Sequence, residues 1–469
     1  MKKMIPIHYL GLGVALVGIF TTIIKLLPSD PIACDLNSQD NPHLSCGEKI
    51  LLTRPGGKSR DNKQKGVEAF KSGNYPSAIA HLQKDWNLAK DPETAIVLEN
   101  AIIANDKNAK FKTIAVVIPA TQTPIFVPTS ILKGIAYAQI QWNQDPNHSW
   151  KLRVVIADDA NDPSQGQEVA TEILKRSDIL AVVGHYSSQV TTNVRSLYQQ
   201  AQTVLISGTS TSTELTVDDV NTFFFRTCSS NRVAGAIMAK YWAIKHKKIA
   251  IFYTPGQKFS ESIRGAFIDN LKSVAVVKEF NLSTPANAKT ELAMAKKLGA
   301  TGIVLFPDAY TAALERDRVS SLIVANNGEL PLLANETVND DLLLKFEPKL
   351  IDKMTLSLPW HPSDIHHQNS QLFQSAPNWW GSKKELNSQI VMSHDAAKVL
   401  LAALDKSDSM NNLRAQKIQL QTIISRSTFI TTGITGKIRF KGSDRDGEIN
   451  SLVKPICSST KCPGFKPAF

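Results

Sequence analysis

The sequence predicts an α/β protein built from two Rossmann-like lobes. Three observations carry that reading. From Thr113 onward, short apolar runs alternate with helical patterns, the signature of parallel sheets covered by helices on both faces. The strands and helices of this kind fill roughly 220 residues, which suits two open sheets better than one. After Thr428 the alternation ends and short strand-and-turn patterns take over.

The elements follow in chain order. Lys2 and Lys3 precede an apolar run from Met4 to Leu27, broken only by Pro6, His8 and Lys25. Residues 1–27 therefore read as a signal sequence or membrane anchor with its positive end in the cytoplasm and the rest of the chain exported. No A-x-A cleavage site follows, and Pro31-Ile32-Ala33-Cys34 places a proline where a lipoprotein box wants an aliphatic residue, so an uncleaved anchor is expected. Residues 28–60 are polar and rich in Pro, Gly and Ser, as in a linker. Residues 61–110 are helical. Gly66, Phe70, Gly73-Asn74-Tyr75, Ala78 and Leu82 have tetratricopeptide-like spacing, and Asp91-Pro92-Glu93 opens a further helix. One repeat cannot bury its own face, so this unit must pack on the next domain, on a partner or on a copy of itself.

Strands are expected at 114–118, 151–157, 180–183, 203–206, 249–253, 274–280, 302–306 and 330–334. Helices are expected at 130–143, 165–176, 189–202, 231–245, 260–271, 288–298, 309–326 and 394–404. Near the C-terminus, 438–440 and 449–453 read as a β-hairpin about a turn at 442–447.

Charge and cysteines narrow the class. The formal net charge is +11, but the basic residues are scattered, and the densest groups, 107–112 and 246–248, lack interleaved aromatics. No nucleic-acid partner is expected. Of the 5 cysteines, Cys34 and Cys46 flank one short segment and Cys457 and Cys462 another, each able to close a disulfide in an oxidising compartment. Cys228 is left as a buried thiol. Zinc has no second Cys or His pair near enough in sequence, and no cofactor or metal is expected.

The chemistry concentrates at 177–216. Two apolar runs, 179–183 and 204–206, each end in hydroxyl residues: Tyr186, Ser187 and Ser188 after the first, Ser207 to Thr213 after the second. In a parallel sheet both loops fall at carboxyl ends of adjacent strands, where open α/β folds place ligands. Thr211-Ser212-Thr213-Glu214 reads as a capping box starting a helix, and two helix N-termini on one crevice suit an anionic group. Asp158 and Asp159 are expected to satisfy loop amides and cap the helix after Pro163 rather than to catalyse. His185 beside serines lacks a G-x-S-x-G elbow, so no hydrolase is inferred. Gly57-Lys58-Ser59 lacks the first glycine of a phosphate loop. His361, His366 and His367 with Trp379 and Trp380 read as a polar surface loop with a packed indole pair.

From about Lys112 to Val453 the sequence resembles the type I periplasmic substrate-binding proteins, in particular the leucine/isoleucine/valine-binding proteins of ABC importers. The carriers are, in order, IAVVIPAT, ILKGIAYAQIQWN, VVIADDANDPSQGQEVATEIL, VVGHYSS, LISGTSTSTELT, FFFRTCSSN, KIAIFYTPGQKFSESIRGAF, ATGIVLFPDAY, LPLLANETV and TGITGKIRFKGSDRDGEI. The resemblance implies two lobes joined by three crossovers, with no enzymatic activity. Lobe one would hold 111–228 and 358–432, lobe two 229–357 and 433–454, and 455–469 would be a tail. It implies that Ser188, Ser210 and Thr211 hold a ligand carboxylate and Glu336 its ammonium. Phe259 falls where the family has an aromatic lid residue, without the usual phenol hydroxyl, and Tyr310 or Asp308 follows the strand ending in Phe306. An extra carboxylate there favours a cationic or polar ligand over leucine. The implied partners are an amino-acid-like small molecule and an ABC permease or other membrane partner. The competing reading is a regulatory scaffold like the lipoproteins that activate cell-wall synthases, in which a tetratricopeptide-like segment precedes the same fold; a ligand sensor is a third.

Overall fold

The structure, a computed structural model, describes residues 42–52, 59–121, 124–308, 313–338, 343–363, 371–380, 386–407, 412–447 and 449–468. The expected anchor at 1–27, Cys34 and Tyr310 lie outside them. Among the described residues no helix is long and apolar enough to cross a membrane.

The first sheet grows from the run FKTIAVVI, β2 (Phe111–Ile118), whose residues from Thr113 on are buried. It is flanked in parallel by β3 (Lys151–Asp158) and β4 (Ile179–Val183), and continues through β5 (Val204–Ser207) and β6 (Phe224–Arg226). The helices α4 (Phe126–Gln144), α5 (Pro163–Lys175) and α6 (Ser188–Gln200) connect the first four strands. Asp162, not Asp158 or Asp159, caps α5, accepting the amides of Ser164 and Gln165 with Pro163 in the first turn. Asp158 instead gathers the amides of Ala120 and Ala160.

The second sheet repeats the scheme. β7 (Lys248–Tyr253) lies between β8 (Ala275–Asn281) and β9 (Gly302–Phe306), followed by β10 (Leu332–Ala334) and β11 (Met354–Leu358), all parallel. The helices α7 (Asn231–Ala243), α8 (Lys258–Asp269), α9 (Ala288–Lys297), α10 (Ala313–Asn326) and α11 (Pro348–Ile351) accompany it. The chain then returns to the first sheet, where α12 (Gln371–Trp380), α13 (Ser388–Asp405) and α14 (Leu413–Ser425) contribute to one hydrophobic core with β2 and α4.

Four features depart from the sequence reading. β12 (Thr431–Gly433) pairs with β13 (Gly436–Ile438), and β14 (Phe440–Lys441) with β15 (Asp444–Arg445), but 449–453 joins neither hairpin. That segment belongs to β16 (Ser451–Ile456), antiparallel to β11 in the second sheet. Because β15 pairs with β6, the last crossing between sheets comes after Arg445 and not at residue 433. The expected tail forms β17 (Gly464–Pro467), which pairs with β16 across a turn closed by the Cys457–Cys462 disulfide. Finally, part of the expected linker is structured: β1 (Leu44–Ser45) is an antiparallel edge strand on β3, and Leu44, Cys46 and Leu52 are buried.

The helical unit docks on this edge. α1 (Ser59–Lys71), α2 (Tyr75–Ala89) and α3 (Pro92–Asn105) share a core of Phe70, Ala78, Leu82, Val97, Leu98 and Ala101, while Ala95 and Ile96 on α3 enter the first sheet's core. Asn100 on α3 donates to the carbonyls of Cys46 and Val154, tying helix, edge strand and sheet together. Of the three places where the unit could have packed, the structure uses the following domain.

One close approach is decisive for packing. A Cβ on Gly134 of α4 would lie 2.2 Å from the carbonyl oxygen of Ile390 and 2.8 Å from the His394 nitrogen, both backbone atoms of α13. No rotamer change relieves that clash. Gly134→Ala, which gains about 1 kcal/mol of helix propensity in isolation, is expected to destabilise the protein by about 1–3 kcal/mol. Urea unfolding decides the sign, and a gain in stability would refute the close packing.

Candidate ligand-binding cleft

Each sheet reverses its winding direction beside its first strand. In the first sheet the chain runs from β2 to β3 on one side and then to β4 on the other; in the second, from β7 to β8 and then to β9. Crevices outside the carboxyl ends at such points receive ligands in open α/β sheets. The loops found there are Gly184–Ser187 and the neighbouring Gly208–Ser212 in the first sheet, and Thr254–Gln257, Pro307–Asp308 and Asn335–Glu336 in the second.

The first-sheet loops are stitched together by their own hydroxyls. Ser188 Oγ accepts the amides of Thr211 and Ser212 at 3.2 and 3.1 Å. Ser210 Oγ pairs with Thr191 Oγ1 at 2.7 Å and reaches the carbonyl of His185 at 3.1 Å. Ser207 Oγ also donates to that carbonyl. Thr211 differs: the residue is 3% exposed and its hydroxyl has no hydrogen-bond partner among the described residues. A buried hydroxyl left without a partner costs about 1–3 kcal/mol, which a bound ligand can recover. Nearby, Ser187 caps α6 through the Val190 amide, leaving the amides of Ser188 and Gln189 at the open, positive end of the helix.

The expected second helix is shorter than the capping box implied. Thr213–Leu215 is a single 3₁₀ turn capped by Ser212, whose Oγ accepts from Glu214 N. It turns into the second lobe instead of extending: Thr213 N donates to Ser262 Oγ at 2.8 Å and Glu214 meets Lys258 at 2.9 Å, both partners lying on α8. Arg226, fully buried, donates to the Ser212 carbonyl at 2.7 Å and pairs with Asp444, fixing the loop from beneath.

On the second lobe, Asn231 links two predicted residues. Its amide donates to the Thr211 carbonyl at 2.7 Å and its side chain to the Phe259 carbonyl at 3.3 Å. Phe259 is buried in the first turn of α8. Glu336 follows β10 directly, and burial pushes its carboxyl up to about 7, a backbone hydrogen bond opposing the rise only in part. No ion pair to Glu336 occurs among the described residues. Asn231 thus ties the Thr211 loop, which Ser188 also holds, to Phe259, while Tyr310 lies outside the described residues.

Tyr186 carries no contact role in the sequence reading. Its hydroxyl is bonded to Gln389 at the start of α13. Burial raises its pKa most, and the charges of Asp308 and Glu336 across the cleft raise it further. The cleft also explains Cys228, a buried thiol pushed up to about 12 chiefly by burial, with Glu336 among the charges acting on it. His185 is spent structurally: Nδ1 lies 2.7 Å from Asp159 and Nε2 3.1 Å from Tyr198, with no serine on either nitrogen. Among the described residues no group of three His, Cys, Asp or Glu is placed to hold a metal.

The model of the periplasmic binding protein family matches residues 129–448, well over half of the chain. The chain belongs to the periplasmic binding protein family. Members of this family are binding proteins, not enzymes. As a periplasmic binding protein the chain is similar to an amino acid binding protein of Pseudomonas aeruginosa, 30% identical over 119 residues, 24% of this chain and 32% of that protein. It is 33% identical over 124 residues to a Leu/Ile/Val-binding protein of Citrobacter freundii, 26% of this chain and 33% of the other. These matches span about a third of the length of the curated relatives. The fold also matches an ABC transporter substrate-binding protein of Desulfitobacterium hafniense solved in complex with Leu, at 22% identity and TM-score 0.62, covering 75% of this chain and 99% of that one.

Proposed function

We propose that this periplasmic binding protein is an extracytoplasmic solute receptor that captures an amino acid or similar small polar ligand between two closing lobes and delivers it to an ABC importer. The observation that supports it best is the complementarity of the two walls. Thr211 offers a buried hydroxyl beside the open end of α6, and Glu336 a half-buried carboxylate; among the described residues the first has no hydrogen-bond partner and the second no ion pair. A zwitterion needs donors at one end and an anion at the other, and only a ligand touching both lobes favours the closed state. The names of the relatives, amino acid binding and Leu/Ile/Val-binding, agree with that class.

In this reading residues 1–27 tether the protein to the membrane, and the tetratricopeptide-like unit at 61–110 extends the first lobe. Ser188 and Ser210 contribute by positioning Thr211, and Phe259 and Tyr310 flank the ligand from the second lobe.

Thermal unfolding of the full-length protein in detergent tests the proposal against amino acids, short amides, polyamines and nucleosides. A ligand at a hundredfold excess over its Kd should add about 2.7 kcal/mol of stability. Silence across the whole panel, with ligand-free folded protein, would sink the solute reading and favour the scaffold one.

A further inference from the structure

One set of contacts bridges the two lobes beside the Thr211 loop. On the first lobe, Thr213 and Glu214 lie in the 3₁₀ turn that follows that loop. On the second, Lys258 and Ser262 stand one turn apart at the start of α8, with Phe259 between them in sequence. Thr213 N donates to Ser262 Oγ at 2.8 Å, the Ser262 hydroxyl donates back to Thr213 Oγ1 at 3.1 Å, and the Lys258 ammonium meets the Glu214 carboxylate at 2.9 Å. Each half is fixed to its own lobe. Ser212 caps the 3₁₀ turn, and Arg226 at the end of β6 holds the Ser212 carbonyl. Behind α8, Ser260 Oγ accepts the Thr254 amide at 2.8 Å and donates to the Phe306 carbonyl at 2.6 Å, which ties the helix start to the ends of β7 and β9.

A swing of one sheet against the other therefore breaks these contacts, because neither half can follow the opposite lobe without leaving its own. The placement of charge points the same way. Lys258 occupies the first turn of α8, the positive end of the helix, where a cation is disfavoured. Among the described residues it pairs with Glu214 and with no acid of its own lobe. Its charge is thus unfavourable in an open second lobe and is offset on closure. We propose that Thr213 and Glu214 with Lys258 and Ser262 form a latch that favours the closed state and prolongs the stay of a bound ligand. The ligand part of this proposal rests on the solute-binding reading above; the latch part does not.

Hydrogen exchange of the full-length protein in detergent tests the latch without ligand. Lys258→Glu is expected to lower protection of the Thr213 amide about fivefold, the scale of an exposed ion pair replaced by like charges. A glutamate suits the positive end of a helix, so α8 itself should keep its protection. Adding Glu214→Lys restores the pair in reverse and should bring the Thr213 amide back to within about twofold. Leucine, as the probe of binding, should leave Lys258→Glu about fivefold faster, with its association rate changed less than about twofold. Unchanged protection of the Thr213 amide, or equal loss in the single and double variants, would overturn the latch. Leucine leaving the variant no faster would overturn its part in ligand retention. Failure of leucine and of the rest of the panel to bind would sink the solute reading alone, and exchange at Thr213 would still decide the latch.

Discussion

Glu336→Gln is expected to abolish most amine affinity while making the ligand-free protein more stable above pH 7. Folded, this carboxyl holds its proton up to about 7, whereas its ordinary value is 4.5. The favourable contribution of the neutral form is therefore fully present below pH 4.5 and is lost as pH rises through 7. Glutamine stays neutral throughout, so the advantage of the variant grows across that window and is level above it. At about 1.4 kcal/mol per tenfold change in ionisation, the gain amounts to about 2–3 kcal/mol at pH 8. The same change removes a charge-assisted hydrogen bond worth about 1.5–3 kcal/mol to the ligand, or about 10- to 150-fold in Kd. In the unmutated protein, amine binding should strengthen from pH 5.5 to 8 as Glu336 ionises, about these values. Denaturant titrations at several pH values check the first effect and calorimetry the second. A variant that is less stable at pH 8, or one that binds amines undiminished, would remove Glu336 from the cleft.

Lys63→Ala is expected to cost about 3–5 kcal/mol and to release the N-terminal helices from the first lobe. The Lys63 ammonium is buried between Glu93 at 2.6 Å and Asp91 at 3.1 Å, and Glu93 also accepts the amides of Leu51 and Leu52. Burial alone would lower the lysine's pKa, but the two carboxylates raise it. Burial raises that of Glu93, and Lys63 is the main group opposing it. Without the lysine, Glu93 is expected to rise further. Its stabilising neutral form is then present at low pH and lost as pH rises through the folded value, so the damage should be smallest in acid and largest near neutrality. Lys63→Met combined with Asp91→Asn and Glu93→Gln should recover most of the loss, since neutral partners carry no unpaired buried charge. Unfolding curves from pH 5 to 8 decide this; a loss below about 1 kcal/mol, or one independent of pH, would mean the cluster is solvated.

Much of the fold is legible in the sequence because it rests on local periodicity. Runs such as Ile179–Val183 and Gly302–Phe306 are uniformly buried strands, as continuous apolar stretches in a parallel sheet must be. Short strands escape such a reading. Phe224–Arg226 and Met354–Leu358 resemble many brief apolar runs, and only pairing with a neighbour defines them. The hairpin expected for Ile449–Val453 fails for the same reason, because β11, the true partner, lies some ninety residues earlier. The edge strand at Leu44–Ser45 follows from no pattern in its polar surroundings.

For the site, the sequence determined where hydroxyls and the acid would gather: at strand ends, because a βα unit turns there and the helix start wants Ser or Thr. It did not determine which hydroxyl is left for a ligand. Ser188, Ser210 and Thr211 are chemically alike in one dimension, and each has a single proton to give. Only the tertiary structure shows that Ser188 and Ser210 are engaged in stitching two loops together while the Thr211 hydroxyl has no partner among the described residues. Tertiary structure alone also sets Tyr186 across from Asp308 and Glu336, residues more than a hundred positions apart. Periodicity records which face of an element is buried, but side-chain hydrogen bonds and through-space charge depend on neighbours that the fold brings together from distant parts of the chain.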